Sequence, residues 1–106
     1  MISIEDFQKL DVRIGTVIEA TKVENTDKLI KLIVDFGDEK RQIITALAHL
    51  LEPEHFLNKQ IPFLLNLPYR KFKGEESQGM IIAADVDGKP ILVHPEKEVP
   101  NGTKMI

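Results

Sequence analysis

Residues 12–47 read VRIGTVIEATKVENTDKLIKLIVDFGDEKRQIITAL, and the period of their apolar positions decides the fold. From Val12 to Thr21 the pattern alternates. Val12, Ile14, Ile18 and Ala20 fall on one face, while Arg13, Glu19 and Thr21 fall on the other, the period of a half-buried strand. Gly15 lies inside this run, and a glycine within a strand predicts a bulge or sharp bend of the kind a small barrel needs. Ile30, Leu32, Val34 and Phe36 alternate against Lys31 and Asp35, which predicts a second strand over Leu29–Phe36. Gly37-Asp38 supplies a turn, and Arg41–Leu47 returns as a third strand, so the second and third form a hairpin.

Outward from this block, Ser3 and Asp6 have capping-box spacing and predict a short helix over Ile4–Leu10. Pro53–Leu57 suits a short helix started by proline. A fourth strand follows over Ile61–Leu67. Pro62 places that residue at an edge or a bulge, because proline donates no ladder hydrogen bond. Gly79–Val86 reads as the fifth strand, then an Asp87-Gly88 turn, a short strand Ile91–His94, and a tail containing Pro100, Asn101 and Gly102. This order predicts an all-β protein, a five-stranded OB barrel with a short N-terminal helix and a short helix between strands three and four. An SH3-like barrel is the alternative, but the element between strands three and four favours OB. Such barrels bind oligonucleotides or sugars across strands two and three, although a fold does not name a function.

With 106 residues, 42% of them hydrophobic and 29% charged, the chain reads as one ordered domain over 1–106, its core at 11–84 and an extension at 85–106. No stretch is long and apolar enough for a membrane helix, and MISIEDFQKL is not a signal peptide. The absence of cysteine excludes disulfides and thiolate zinc sites and fits a reducing cytoplasm. A formal net charge of −3 argues against coating nucleic acid by bulk charge. It leaves room for a local patch, because screening limits the reach of a charge to about 10 Å. The densest positive cluster is Arg70, Lys71 and Lys73.

Catalytic motifs are missing. Asp35-Phe36-Gly37 spells the magnesium-binding triplet of protein kinases, but in a chain with no glycine-rich loop or His-Arg-Asp element it reads as a strand end entering a hairpin. Ser77 has no nucleophile elbow around it and no neighbouring histidine to act as base. His49, His55 and His94 lack metal-ligand spacing, and no phosphate loop occurs. No cofactor or metal is expected. A binding surface is better supplied. Asn66 ends strand four, Arg70, Lys71 and Lys73 occupy the following loop, and Ser77, Gln78 and Met80 open strand five, so one loop gathers them on one rim. Cations hold phosphates while amides and hydroxyls read unstacked base edges. Met80 offers a polarizable face to a base. Aromatic supply is thin, with only Tyr69 and Phe72 nearby for stacking.

Residues 11–84 also carry Asp11-x-Arg13-Ile14-Gly15, Asp27-Lys28-Leu29, Val34-Asp35-x-Gly37, Arg41-x-Ile43, Asn66-Leu67 and Gly74-x-x-Ser77-x-Gly79-Met80 in that order. In this the chain closely resembles the tRNA-binding domain of the methionyl-tRNA synthetase C-terminal and beta-chain type. Free-standing tRNA-binding proteins, an endothelial monocyte-activating cytokine domain, the N-terminal region of bacterial phenylalanyl-tRNA synthetase beta chains and the CsaA secretion chaperone are relatives. The resemblance implies an OB fold, no catalysis, recognition of tRNA shape, and action in trans or beside an aminoacyl-tRNA synthetase. It implies a homodimer whose interface uses the N-terminus and Asp85–Ile106. Its motif places Lys28, Arg41, Asn66, Lys73, Ser77 and Met80 toward RNA, to which the cationic rim adds Arg70: Lys28, Arg41 and Lys73 on phosphate, Asn66 and Ser77 on base or sugar edges, and Met80 against a base. The chain departs from the family at Glu24-Asn25-Thr26-Asp27, where His-Pro-x-Ala-Asp is usual, at Thr45-Ala46 in place of Ser-Gly, and at Asn66-Leu67-Pro68-Tyr69 in place of Asn-Leu-x-Pro. The same resemblance admits a peptide-binding chaperone of the CsaA kind as the alternative.

Overall fold

The long alternating run does form one strand, β1, over Val12–Lys22. In the computed structural model, which describes residues 1–106, it is followed by β2 (Ile30–Asp35), β3 (Lys40–Thr45) and β4 (Gln60–Leu64). Next come β5 (Arg70–Phe72), β6 (Glu75–Ser77), β7 (Met80–Ile81), β8 (Ala83–Val86) and β9 (Lys89–Leu92). The main sheet is antiparallel with order β3-β2-β1-β4-β7, and β5-β6 and β8-β9 are separate hairpins. It curls into an OB-like half-barrel, as the hydrophobic pattern predicts. The helix α1 (Ile4–Gln8) is shorter than expected, but Ser3 and Asp6 do form the capping box. The expected helix after Pro53 is a single 3-10 turn, Pro53–His55.

The bend in β1 comes from a different residue than the glycine suggests. The register slips between Val17 and Glu19, so Ile18 is the bulged residue. One extra residue shifts the phase of the strand. Val17 before the bulge and Ala20 after it both meet the core cluster, and Ile18, expected on the inner face, is half-buried. Gly15 serves close packing instead: a Cβ there would stand 2.6 Å from both Val34 Cγ1 and Phe36 Cε1. Phe36 in turn meets Phe63 edge to face at 5.6 Å, and Phe56 plugs the core from beside the 3-10 turn.

Pro62 lies inside the sheet rather than on its edge, paired with Ile14. It is tolerated because the β4–β7 ladder stops there. The Pro62 carbonyl accepts from Ile82 N at 3.0 Å, and no return bond is possible. The predicted fifth strand consequently breaks at Ile82 into β7 and β8, and β8 leaves the sheet to pair with β9. The C-terminal tail lies against β1, with Ile14 N donating to Thr103 O at 2.9 Å and Met105 N to Val12 O at 2.8 Å. No helix is long and apolar enough to cross a membrane.

Candidate nucleic-acid interface

The stretch between β4 and β7, expected to be a loop, is the hairpin β5–β6. Its turn is Lys73-Gly74, both residues at positive φ (53° and 83°), the conformation a two-residue hairpin turn requires. Lysine is not a usual residue for that position, so the turn is hard to read from sequence. Asp87-Gly88 makes the same turn between β8 and β9 (52° and 81°) with a standard signature.

The hairpin is fastened to the open edge of β3 largely by side chains. Ile44 N donates to Ser77 Oγ at 2.9 Å, and Ser77 Oγ donates to Gly79 O at 2.9 Å. Gln42 N donates to Gln78 Oε1 at 3.0 Å, while Gln78 N donates to Gln42 O at 2.8 Å. Gln42 Nε2 reaches Glu75 Oε2 and the Glu76 carbonyl. These contacts seal the half-barrel where a backbone ladder does not. Ser77 is only 5% exposed, and its hydroxyl is engaged on both sides by the barrel. Gln42 is a contributor the sequence reading missed, since nothing near it in sequence announces a partner 36 residues away.

Asn66 is likewise a fastener. Its Oδ1 accepts from Asp11 N at 2.8 Å and its Nδ2 donates to Lys9 O at 2.7 Å, tying the end of α1 to the exit of β4. Arg41 braces the seam, with Nη1 donating to Leu65 O and Gln78 O at 2.9 Å each and Nε to Glu39. Its guanidinium carbon lies 5.9 Å from the centre of the exposed Tyr69 ring. Of its three nitrogens, Nη2 alone makes no hydrogen bond within the chain.

The remaining cations stand differently. The ion pairs are Lys9–Asp6, Arg13–Asp11, Lys22–Glu52, Lys31–Glu75 and Arg41–Glu39. Lys28, Arg70, Lys71 and Lys73 are in none of them, nor are Lys40, Lys59, Lys89, Lys97 and Lys104; the first four are all exposed, and three of them share the β5–β6 hairpin. Glu75 and Glu76 lie opposite Phe72 and Lys71 in the hairpin. Glu75 is engaged by Lys31 and Gln42, and Glu76 Oε1 accepts from Gln78 Nε2. The carboxylates are thus drawn toward the barrel and the cations left outward. Arg70 lies over the Phe72 ring at 5.2 Å. Arg70, Phe72, Ser77 and Met80 line one cleft of about 90 Å3, and Met80 is 48% exposed. Lys73 borders a second, polar cleft with Lys22, Glu24 and Lys31, at the start of the β1–β2 loop that carries Lys28. The structure therefore gathers Arg70, Ser77 and Met80 in one cleft, places Lys73 at the hairpin tip in the other, and holds Asn66 to the N-terminal segment.

The shifted ionisable groups lie away from this rim. The Asp6 carboxyl is held below its ordinary range by the Ser3 backbone amide, then by Lys9 and the Ser3 hydroxyl. The Arg13 guanidinium is raised by its hydrogen bond to Asp11. No cluster of three or more His, Cys, Asp or Glu could hold a metal ion.

Comparison with known proteins agrees with this geometry. Residues 12–104 match the family model described as "Putative tRNA binding domain". The methionine–tRNA ligase of Archaeoglobus fulgidus is 56% identical over 104 residues, which are 98% of this chain and 16% of that enzyme. The chain therefore spans about a sixth of that relative. The crystal structure of a MetRS-related protein from Pyrococcus horikoshii superposes with a TM-score of 0.96 at 42% identity, covering 100% of this chain and 98% of that one. The chaperone CsaA from Bacillus anthracis superposes with a TM-score of 0.89 at 33% identity, covering 100% and 99%.

Proposed function

The chain belongs to the tRNA-binding domain family, and we propose from that premise that it is a non-catalytic module holding tRNA on the rim of the β5–β6 hairpin. The carrying observation is the division of charge there: Arg70, Lys71 and Lys73 have no ion-pair partner, while the hairpin's carboxylates are engaged by Lys31, Gln42 and Gln78. A protein of net charge −3 meets a polyanion through such an edge, since exposed charges act over about one Debye length, ~10 Å. Arg70, Lys73 and Lys28 take phosphates, Arg41 offers Nη2, and Met80 packs against a base. Ser77 and Asn66 act through the shape of the rim rather than by touching RNA.

Likeness to a methionine–tRNA ligase over 98% of the chain supports work beside a synthetase, in the cytoplasm, with tRNA delivered or retained in trans. A homodimer fits the exposed Ile4, Leu10, Val86, Ile91, Met105 and Ile106, which lie in the N-terminal segment and in residues 85–106.

A second reading, peptide binding, is favoured by the CsaA likeness together with an apolar groove beside β3. Competition separates the two. Labelled total tRNA bound to the chain is challenged with excess unlabelled tRNA or an unfolded polypeptide. Displacement by tRNA alone supports RNA binding; no retained tRNA, with capture of the polypeptide, contradicts it.

A further inference from the structure

Thr45, at the end of β3, is 4% exposed, and its Oγ1 is buried without a hydrogen-bond partner. An orphaned buried hydroxyl is destabilising, because water has been lost and nothing has replaced it. Every other buried side-chain polar atom in the chain has a partner. Thr45 also lines the groove beside β3, an open cavity of about 410 Å3 with Ile44, Leu47, Met80, Ala84 and Pro90 on its walls. Ile44 and Met80 are shared with the neighbouring cleft that holds Arg70 and Phe72. One ridge thus separates a mainly apolar seat, with Asp85 on its lining held by the Gly88 amide and one unsatisfied hydroxyl beneath its surface, from a guanidinium free of ion pairs.

From this juxtaposition we propose that the groove seats one unstacked nucleobase of the bound RNA, with a phosphate of the same strand on Arg70 across the Ile44–Met80 ridge. The inference rests on the tRNA-binding reading and adds a defined nucleotide subsite to it. The apolar walls take the faces of the base, and Met80 presents its thioether to the ring. Because Thr45 Oγ1 is buried in the free chain, its hydroxyl reaches a seated base only after rotation about χ1. A hydroxyl both donates and accepts, so it can meet an edge of any base. The Ala48 amide is bonded to Lys28 O at 2.8 Å, which holds the β1–β2 loop and its lysine against the segment leaving Leu47. A peptide suits the site less well. It carries a backbone amide at each residue that needs a partner, and it has no use for the adjacent Arg70.

The test is titration of the chain with fluorescein-labelled total tRNA, with a single-stranded RNA decamer and a blunt RNA duplex as competitors, at several salt concentrations. Thr45→Val keeps the shape of the side chain and removes the hydroxyl. It is expected to fold at least as stably and to bind tRNA about five-fold more weakly, one hydrogen bond's worth. Ala84→Phe, at an exposed strand position, fills the groove and is expected to weaken binding about ten-fold or more, the loss of one stacked base. In both variants the salt dependence stays that of the wild type, while Arg70→Ala makes it shallower. The decamer should compete better than the duplex, and the groove variants should erase that advantage. Wild-type affinity in both variants overturns the subsite and leaves the tRNA reading standing, as does a salt dependence that flattens in Thr45→Val. Failure of the wild-type chain to bind any RNA overturns both. In that case, an unfolded polypeptide bound by the wild type and excluded by Ala84→Phe assigns the groove to peptide.

Discussion

An alanine at position 15 would set its Cβ 2.6 Å from two core side chains, neither of them a flexible end. Gly15→Ala is therefore expected to lower unfolding stability by about 1–3 kcal/mol in denaturant titration, the usual cost of an overpacked core. Ser77 makes a comparable demand through hydrogen bonds. Ser77→Ala leaves the buried Ile44 amide without an acceptor, and an unmet buried donor costs about 1–3 kcal/mol. If Ser77 instead faced RNA, the variant would keep its stability and lose affinity, so a denaturation curve beside a binding curve separates the two roles. Sequence put this serine with Arg70 and Met80, whose cleft it lines, but could not give its direction. A strand's side chains alternate between faces, and which face residue 77 shows depends on the register of β6 against β5 and β3. The residues that make that register, Gln42 and Gln78, are 36 apart. Gly15 was legible as a special position, but the reason was not: packing against Phe36 depends on the pairing of β1 with β2.

Each element carries its own consequence. Helix α1 has five residues and no buried one, so its capping box matters more than its packing. The Asp6 carboxyl is held below its ordinary range chiefly by the Ser3 amide, and a depressed carboxylate pKa contributes stability that is present above its unfolded value and lost as pH falls through the lower folded value. NMR titration should find Asp6 titrating below the ordinary aspartate range, returning toward it when Lys9→Ala removes one of its partners. The main strands were legible from their apolar patterns, alternating in β2 and continuous in β4, and their bounds differ from expectation by few residues. The β5–β6 hairpin was not. Three-residue strands carry too little alternation to read, and its Lys73-Gly74 turn lacks the Asn or Asp that usually marks left-handed backbone. Lys73→Asn should therefore keep the turn while removing one cation. It is expected to leave thermal stability within a few tenths of a kcal/mol, in the range of surface substitutions, and to weaken tRNA binding, which differential scanning and a binding titration would check together.

At the scale of the whole molecule, a net charge of −3 stands against the cluster of unpaired cations on the β5–β6 hairpin. The net charge of −3 was plain in the sequence, but the sorting of the hairpin's charges was not, because the partners of Glu75 and Glu76 come from other strands. Exposed apolar residues in the N-terminal segment and the tail, Ile4, Leu10, Met105 and Ile106, predict self-association. Sedimentation should give a dimer at micromolar concentration, and Ile4→Lys with Met105→Lys should shift it to monomer. The central claim is tested most directly by the salt dependence of tRNA affinity. For the wild type, log K is expected to fall linearly with log salt, and Arg70→Ala with Lys73→Ala should reduce the slope by about 0.7–0.9 per contact removed. A wild-type affinity indifferent to salt, or a slope unchanged by removing both hairpin cations, would contradict the assignment of tRNA to this edge.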